Sequence, residues 1–370
     1  MTTANEVELE QLRDALRGFL ASACDEPVVR ASVAAGGGVD RALWRRLACE
    51  LGLPAVGLPE LYGGGYGLPA LRVVMEELGR ALAPVPFLST VVLSSTALAA
   101  SADDAACGRY LPPIADGELI AALAAAEHDG RWMARDWTTR VRRSAGRWRL
   151  TGVKAFVVDG AEADVILVFA PTAEGLSLFA VDANTPGLHR APMTSLDLTR
   201  AFAQVSFDDA PAEQVGQAGA ADSVLAAVGD VARIGLAAEN VGGAQRCLEM
   251  SVDYAKTRQQ FGRPIGSFQA IKHLCADMLV DVEGARAATA EAAATATEQS
   301  QRLPVGASVA FVESARAFFD VAQETIHVHG GIGFTWEHPA HLYYRRAKSN
   351  QLIFGGPMVD YENVLTLLGV

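Results

Sequence analysis

The sequence has few cysteines, no long apolar run and a deficit of positive charge. No Cys-x-x-Cys pair occurs, so neither a disulfide framework nor a metal site is predicted; the five cysteines are Cys24, Cys49, Cys107, Cys247 and Cys275. No run of about 18 apolar residues occurs, and the first residues are acidic, which predicts a cytoplasmic protein without a membrane span. A net charge of −12 argues against sequence-independent binding to nucleic acid, which requires a basic face.

The residues that are present predict a globular α+β protein. The chain has 370 residues, 50% of them hydrophobic, which is enough for several cores. Residues 1–118 show helical spacing of apolar positions, residues 119–215 show short apolar runs typical of a small β-barrel or sandwich, and residues 216–370 return to helical spacing. We therefore expect a helical domain, a β-domain and a second helical domain.

Local patterns give more specific expectations. The segment from Gly57 to Gly67 is too rich in glycine for a helix and predicts an ordered loop. The apolar runs Trp148–Thr151 and Ala155–Val158 predict two short strands. The alanine-rich segment Ala285–Ala296 predicts a helix rather than disorder.

The segment Tyr254–Gln269, here called the corner, is the most informative in the chain. Gly262 and Pro264 interrupt a helical pattern, which predicts a helix that ends near Gly262, with Arg258 and Phe261 on its last turn. A second helix is expected to begin near Gln269. An arginine, a ring and an amide at such a turn suit a diphosphate and an adenine. Taken alone, however, the three residues are more typical of a surface arginine beside a core phenylalanine.

Several segments in a fixed order are informative together. They are Pro59–Gly67, Glu76–Arg80, Gly152–Gly160, Thr257–Ala270, Ala276–Met278, His327–Phe334 and Ala347–Lys348. These segments resemble those of the acyl-CoA dehydrogenase family. The resemblance covers nearly the whole chain, and it implies an amino-terminal helical domain, a middle β-domain and a carboxyl-terminal four-helix bundle.

The resemblance also implies a cofactor, partners and site residues. It implies FAD as cofactor, an acyl-CoA as substrate, an electron acceptor such as an electron-transfer flavoprotein, and a homo- or heterotetramer in which subunits share the FAD site. The residues implied at the adenosine diphosphate end of a neighbour's FAD are Arg258, Phe261, Gln269, His327, Gly330 and Gly331. At the flavin ring, Phe156 keeps an aromatic side chain, whereas Val158 replaces a hydroxyl residue. For His327 and His329, ordinary helix-end histidines are the alternative.

The departures from the family pattern concern catalysis. The family chemistry uses a glutamate to remove an α-proton while a hydride passes to the flavin. The usual position of that glutamate corresponds to Phe354 or the adjacent Gly355, and a second position known in the family corresponds to Ala232. Glu239, two turns further along the same predicted helix, is the displaced candidate. Its alternative role is a packing carboxylate paired with Arg233 or Arg246.

These observations leave three functional hypotheses. The first is an acyl-CoA dehydrogenase that forms a 2,3-enoyl-CoA with an unusual base. The second is a catalytically silent subunit that completes the FAD and substrate site of a homologous partner, as the resemblance to unequal pairs acting on steroid acyl-CoAs implies. The third is altered flavin chemistry on the same scaffold.

A group of arginines is expected to form a solvated hairpin rather than a coenzyme A phosphate site; its members are Arg140, Arg142, Arg143, Arg147 and Arg149.

Overall fold

The computed structural model describes residues 6–132, 137–144, 146–295 and 301–369. The described ranges leave out residues 1–5 and 370, at the outer ends of the two predicted helical domains. They also leave out Ala296, at the end of the predicted alanine-rich helix. Within the described ranges, a helical region is followed by a sheet and then by a helical bundle, so the predicted α+β class and order of layers are confirmed. No helix among the described residues is long and apolar enough to cross a membrane.

The first region is helical because its apolar residues recur on one face of each helix. The glycine-rich segment Gly57–Gly67, expected to be an ordered loop, contains a 3₁₀ turn at Glu60–Tyr62 and follows another at Leu53–Gly57. The helices are α1 (Glu6–Ala23), α2 (Glu26–Ala34), α3 (Arg41–Leu51), α4 (Gly67–Ala81), a π-helical segment (Phe87–Ser95), α5 (Thr96–Ala100) and α6 (Asp104–Ala115).

The middle region is a seven-stranded sheet. Its strands are β1 (Ala121–Ala124), β2 (Arg140–Ser144), β3 (Arg147–Val158), β4 (Val165–Thr172), β5 (Gly175–Asp182), β6 (Leu188–Pro192) and β7 (Phe202–Val215). Their order is β1-β4-β5-β7-β3-β2, with β6 paired to β7. β1 also lies against β3 and β2 against β4, so the sheet folds back on itself. The two strands expected at Trp148–Thr151 and Ala155–Val158 are one, because β3 runs through both with irregular pairing to β7.

The last region is a helical bundle. Its elements are α7 (Ala221–Thr257), the two-residue strands β8 (Gln259–Gln260) and β9 (Arg263–Pro264), α8 (Gln269–Thr295), α9 (Leu303–His329), α10 (Ala340–Leu352) and α11 (Pro357–Leu368). The helices α7, α8 and α9 pack against one another, and α10 packs against α9. The long helix α7 also packs against α4, which joins the two helical regions into one core.

Candidate functional site

The corner differs from the predicted helix end. α7 ends at Thr257, before Gly262, and Arg258 has an extended backbone. β8 then pairs with β9, and the two residues between them, Phe261 and Gly262, have φ angles of 53° and 75°. This is the geometry of a tight hairpin of type I′. The expectation that Arg258 and Phe261 lie on the last helical turn is therefore wrong, whereas α8 does begin at Gln269.

The side chain of Phe261 projects into solvent from the hairpin tip. It is 90% exposed, so the alternative of a core phenylalanine is wrong. Its left-handed backbone costs about 1 kcal/mol or more in a residue with a Cβ. Among the described residues the ring meets Phe268 edge to face, with centroids 6.1 Å apart, and it still lies largely in solvent. It is therefore a candidate contact for another molecule.

The glycine loop after α9 lies at the same end of the bundle as the corner. Tyr254 of α7 stacks on His329 of α9 with ring centroids 4.4 Å apart. His329 is buried and bonds the Thr325 carbonyl through Nδ1, whereas His327 is exposed beside Glu324. A Cβ added at Gly331 would meet no atom within 4 Å. Packing within this chain therefore does not require glycine at that position, and the open space fits a molecule approaching the backbone.

The predicted flavin-facing residues lie at an irregular point of β3. Phe156 has a φ of 55° and is 41% exposed, whereas Val158 is buried. A Cβ built on Gly130 would lie 3.8 Å from the Phe156 ring and 4.0 Å from the Cα of Gly355. The strand therefore meets the loop before α11 at this glycine.

A buried ion pair fixes β3 beside the segment that follows β1. The Lys154 ammonium lies 3.3 Å from the Glu127 carboxylate and 3.7 Å from the centroid of the Trp137 ring. Burial lowers the pKa of Lys154 to about 8, although Glu127 opposes this shift. Thr138 and Thr139 each donate a backbone and a hydroxyl hydrogen bond to Glu127. With Lys154, five donors therefore surround this carboxylate, and no local sequence pattern predicts the arrangement.

Phe354, the position at which the family resemblance implies a catalytic glutamate, lies in an aromatic cluster. Phe354 is 3% exposed, and its ring centroid lies 5.0 Å from that of Trp132 and 5.2 Å from that of Phe311. The guanidinium of Arg233 lies 4.8 Å from the centre of the same ring. Trp132, Phe311 and Arg233 were not predicted, because contacts between distant segments leave no local pattern.

The alternative base positions also lack a proton acceptor. Gly355 has a φ of 104°, a conformation essentially reserved for glycine, and an added Cβ would lie 3.2 Å from the Arg131 side chain. Ala232 is fully buried in α7. A glutamate at Gly355 would therefore need both a different backbone and a displaced Arg131.

Glu239 lies in a buried ionic cluster that joins α7, α10 and the loop before β7. Arg200 donates to both carboxylate oxygens at 2.6 and 2.5 Å, and Arg346 donates to one at 2.5 Å. Asn350 adds a bond of 3.2 Å. The predicted partners Arg233 and Arg246 are wrong, since Arg233 stacks on Phe354 and Arg246 pairs with Glu249.

This environment disfavours proton transfer at Glu239. Burial alone would raise the pKa of the carboxyl group, but Arg200 and Arg346 outweigh burial and lower it. A carboxylate that is bonded by two guanidinium groups and has a lowered pKa is a weak base. Arg346 is in turn held by Asp197 and Thr199, so the cluster connects the sheet region to the bundle.

The five arginines of the β2–β3 hairpin are mostly engaged within the chain. Arg142 and Arg149 pair with Asp209, Arg143 stacks on Trp148, and Arg140 donates to the Trp137 carbonyl. These contacts fit the expected solvated hairpin better than a phosphate site.

A second buried carboxylate near the Glu239 cluster predicts a pH effect. Burial raises the pKa of Asp159 from 3.8 to about 6, although Ser89 donates a 2.6 Å hydrogen bond to it. The group therefore favours folding below its unfolded pKa, and this contribution is lost as pH rises through about 6. We expect Asp159→Asn to raise the free energy of unfolding at pH 7.5 by up to about 3 kcal/mol and to flatten its dependence between pH 4 and 6. Urea unfolding at a series of pH values from about 4 to about 7.5 measures both effects. Asp116→Asn, at an exposed carboxylate, is the control, and equal curves for both variants would contradict the assignment.

Comparison with known proteins gives matches along the whole chain. Models of the acyl-CoA dehydrogenase N-terminal, middle and C-terminal domains match residues 6–118, 122–210 and 224–363. Acyl-CoA dehydrogenase IpdE2 of Mycobacterium tuberculosis is 34% identical over 351 residues, which cover 95% of this chain and 94% of the relative.

Two solved structures share the fold. One is a variant of the Tcur3481–Tcur3483 steroid ACAD, with a TM-score of 0.87, 32% identity and 98% of each chain covered. The other is the ChsE4–ChsE5 complex from Mycobacterium tuberculosis, with a TM-score of 0.89 and 29% identity, covering 100% of this chain and 99% of that one.

Proposed function

Because the chain belongs to the acyl-CoA dehydrogenase family, whose cofactor is FAD, we propose that it is the subunit without a catalytic base in an unequal pair. It binds a homologous subunit, contributes the corner to the FAD of that subunit, and shapes the acyl-CoA site there. The homologous subunit supplies the glutamate that removes the α-proton, and FAD supplies the hydride acceptor. The pair as a whole is then an oxidoreductase that forms a 2,3-enoyl-CoA.

The aromatic cluster at the usual base position carries this proposal. Phe354 is packed against Trp132 and Phe311, and none of these three side chains can accept a proton as a base. The backbone of Gly355 is unsuited to any other residue. The alternative in which this chain is itself the dehydrogenase requires Glu239 as base, and that carboxylate is bonded by Arg200 and Arg346. Geometry therefore favours the silent subunit.

The features at the other end of the bundle fit a contribution to a dinucleotide site. Arg258, Phe261 and Gln269 are exposed at the corner, and His327, Gly330 and Gly331 form an exposed loop beside it. Cationic forks bind phosphate oxygens, and an exposed ring stacks on a base. We assign Phe156 and Val158 to the side of the flavin ring, as the family resemblance implies. There Val158 offers only its backbone amide, because it has no hydroxyl.

The names of two solved relatives support a proposal for the acyl group. One solved relative is named as a steroid ACAD and another as a complex of two different chains. We therefore include a bulky, steroid-like acyl-CoA and an unequal tetramer in the proposal. An electron-transfer flavoprotein is the acceptor proposed to reoxidise the flavin.

Co-expression with a homologous acyl-CoA dehydrogenase chain tests the proposal. We expect the chain alone to purify without visible flavin absorbance and without activity, because it lacks a complete site. The two chains together are expected to carry FAD and to bleach when an acyl-CoA is added. The homologous chain alone is the control. If the present chain alone is yellow and bleaches with an acyl-CoA, the proposal is wrong.

A further inference from the structure

The cations of the corner are unpaired in an otherwise acidic chain with a net charge of −12. Arginines elsewhere mostly bind carboxylates: Arg13, Arg17, Arg41, Arg80, Arg142 and Arg316 are examples. Lys256, Arg258 and Arg263 of the corner and Lys272 in the first turn of α8 are exposed, and none has a carboxylate within ion-pair distance in the part of the chain that the structure describes. Such a concentration of unneutralised charge is a local anion site on an acidic protein.

Arg263 is the one of these four cations that stacks on an aromatic ring among the described residues. Its guanidinium lies 4.1 Å from the centre of the Phe268 ring. Phe268 in turn meets Phe261 edge to face, with centroids 6.1 Å apart. An arginine stacked on a ring by its flat face keeps its N–H donors free at the edge. The stack therefore presents a preorganised fork beside the exposed tip of the hairpin.

The hairpin register places this fork on the same face as Arg258. Gln260 pairs with Arg263, and the Ile265 N–H donates to the Arg258 carbonyl at 2.8 Å, so Arg258 lies opposite Ile265. β9 ends at Pro264 and Ile265 begins a 3₁₀ turn, so the hydrogen bond from Ile265 to Arg258 continues the hairpin register by one pair beyond the strands. In that register Arg258 and Arg263 are diagonal neighbours. In regular pairing the Cβ atoms of such neighbours lie about 7–8 Å apart or slightly closer, and two guanidinium groups extending from that spacing reach adjacent phosphates.

We propose that Arg263, stacked on Phe268, is a second phosphate-binding arginine of the corner and acts with Arg258 on the diphosphate of the neighbouring subunit's FAD. This inference rests on the proposed function, since it requires a homologous subunit that holds FAD against the corner. The other anion available to Arg263 in such a complex is a carboxylate of the neighbouring subunit. In that case Arg263 holds the two subunits together and makes no contribution to cofactor affinity.

The experiment uses the complex of this chain with its homologous subunit, stripped of FAD and titrated with FAD at several KCl concentrations. We expect Arg263→Ala to weaken FAD binding about tenfold and to reduce its salt dependence, as loss of one charge-assisted contact predicts. Arg263→Lys restores part of the affinity. Arg143→Ala, which removes another arginine stacked on a ring, is the matched control and leaves FAD affinity unchanged.

Arg258→Ala and a measurement of subunit association separate the outcomes. FAD affinity within about twofold of wild type in Arg263→Ala, with weaker binding in Arg258→Ala, overturns the role of Arg263 alone. Dissociation of the subunits by Arg263→Ala without loss of FAD affinity in the remaining complex also overturns it, in favour of the carboxylate. If neither alanine variant changes FAD affinity, the corner does not bind the cofactor and the proposed function fails as well.

Discussion

Glu239→Gln is expected to destabilise the protein by about 3–5 kcal/mol, because it leaves two buried guanidinium groups without their shared counter-charge. Arg200 and Arg346 both donate to this carboxylate, and both are almost fully buried. The cluster joins the sheet region to α7 and α10, so the loss falls on the packing of these regions against each other. Chemical denaturation monitored by tryptophan fluorescence measures the change.

Glu249→Gln is the matched control for this prediction. Glu249 lies on the same helix and pairs with Arg80 and Arg246, but its side chain is 33% exposed. A solvent-exposed pair contributes about 0–1 kcal/mol, so the control is expected to unfold nearly as the wild type does. A Glu239→Gln variant with wild-type stability, combined with lost turnover in the complex and retained FAD, would contradict a structural role and restore Glu239 as the base.

The order of layers and the start of α8 at Gln269 could be predicted from local spacing, and the family from the motifs that resemble it. The end of α7 was misplaced. A glycine that follows a phenylalanine predicts a helix stop, but a two-residue hairpin with Phe261 at positive φ is a rare choice that residue preferences oppose. The strained backbone is informative because it holds the Phe261 ring largely in solvent, where the edge-to-face contact with Phe268 covers little of it.

The partners of Glu239 were missed for a different reason. Helical spacing suggested arginines on the same helix, whereas the observed partners lie 39 and 107 residues away along the chain. A buried ionic cluster depends on how segments fold together, and one sequence contains no periodic signal for it. The same holds for the contact of Phe354 with Trp132, which also joins segments far apart along the chain.

The second large effect concerns the homologous subunit. If its glutamate is the one base in the assembly, replacing that glutamate with glutamine removes proton abstraction from every working site. General base catalysis contributes about 10²–10⁴-fold to rate, so we expect turnover to fall at least about a hundredfold. The retained FAD absorbance shows that the site is still assembled. The matched variant in this chain is Phe354→Leu, which keeps the position apolar and is expected to leave more than half of the turnover.

The most direct test of the central claim is therefore the acyl-CoA turnover of the complex in which only the homologous subunit carries the glutamate-to-glutamine change. The account predicts that less than about one per cent of the activity remains, with FAD still bound. Retention of about half the activity would show that the present chain has a working base of its own, and it would contradict the account.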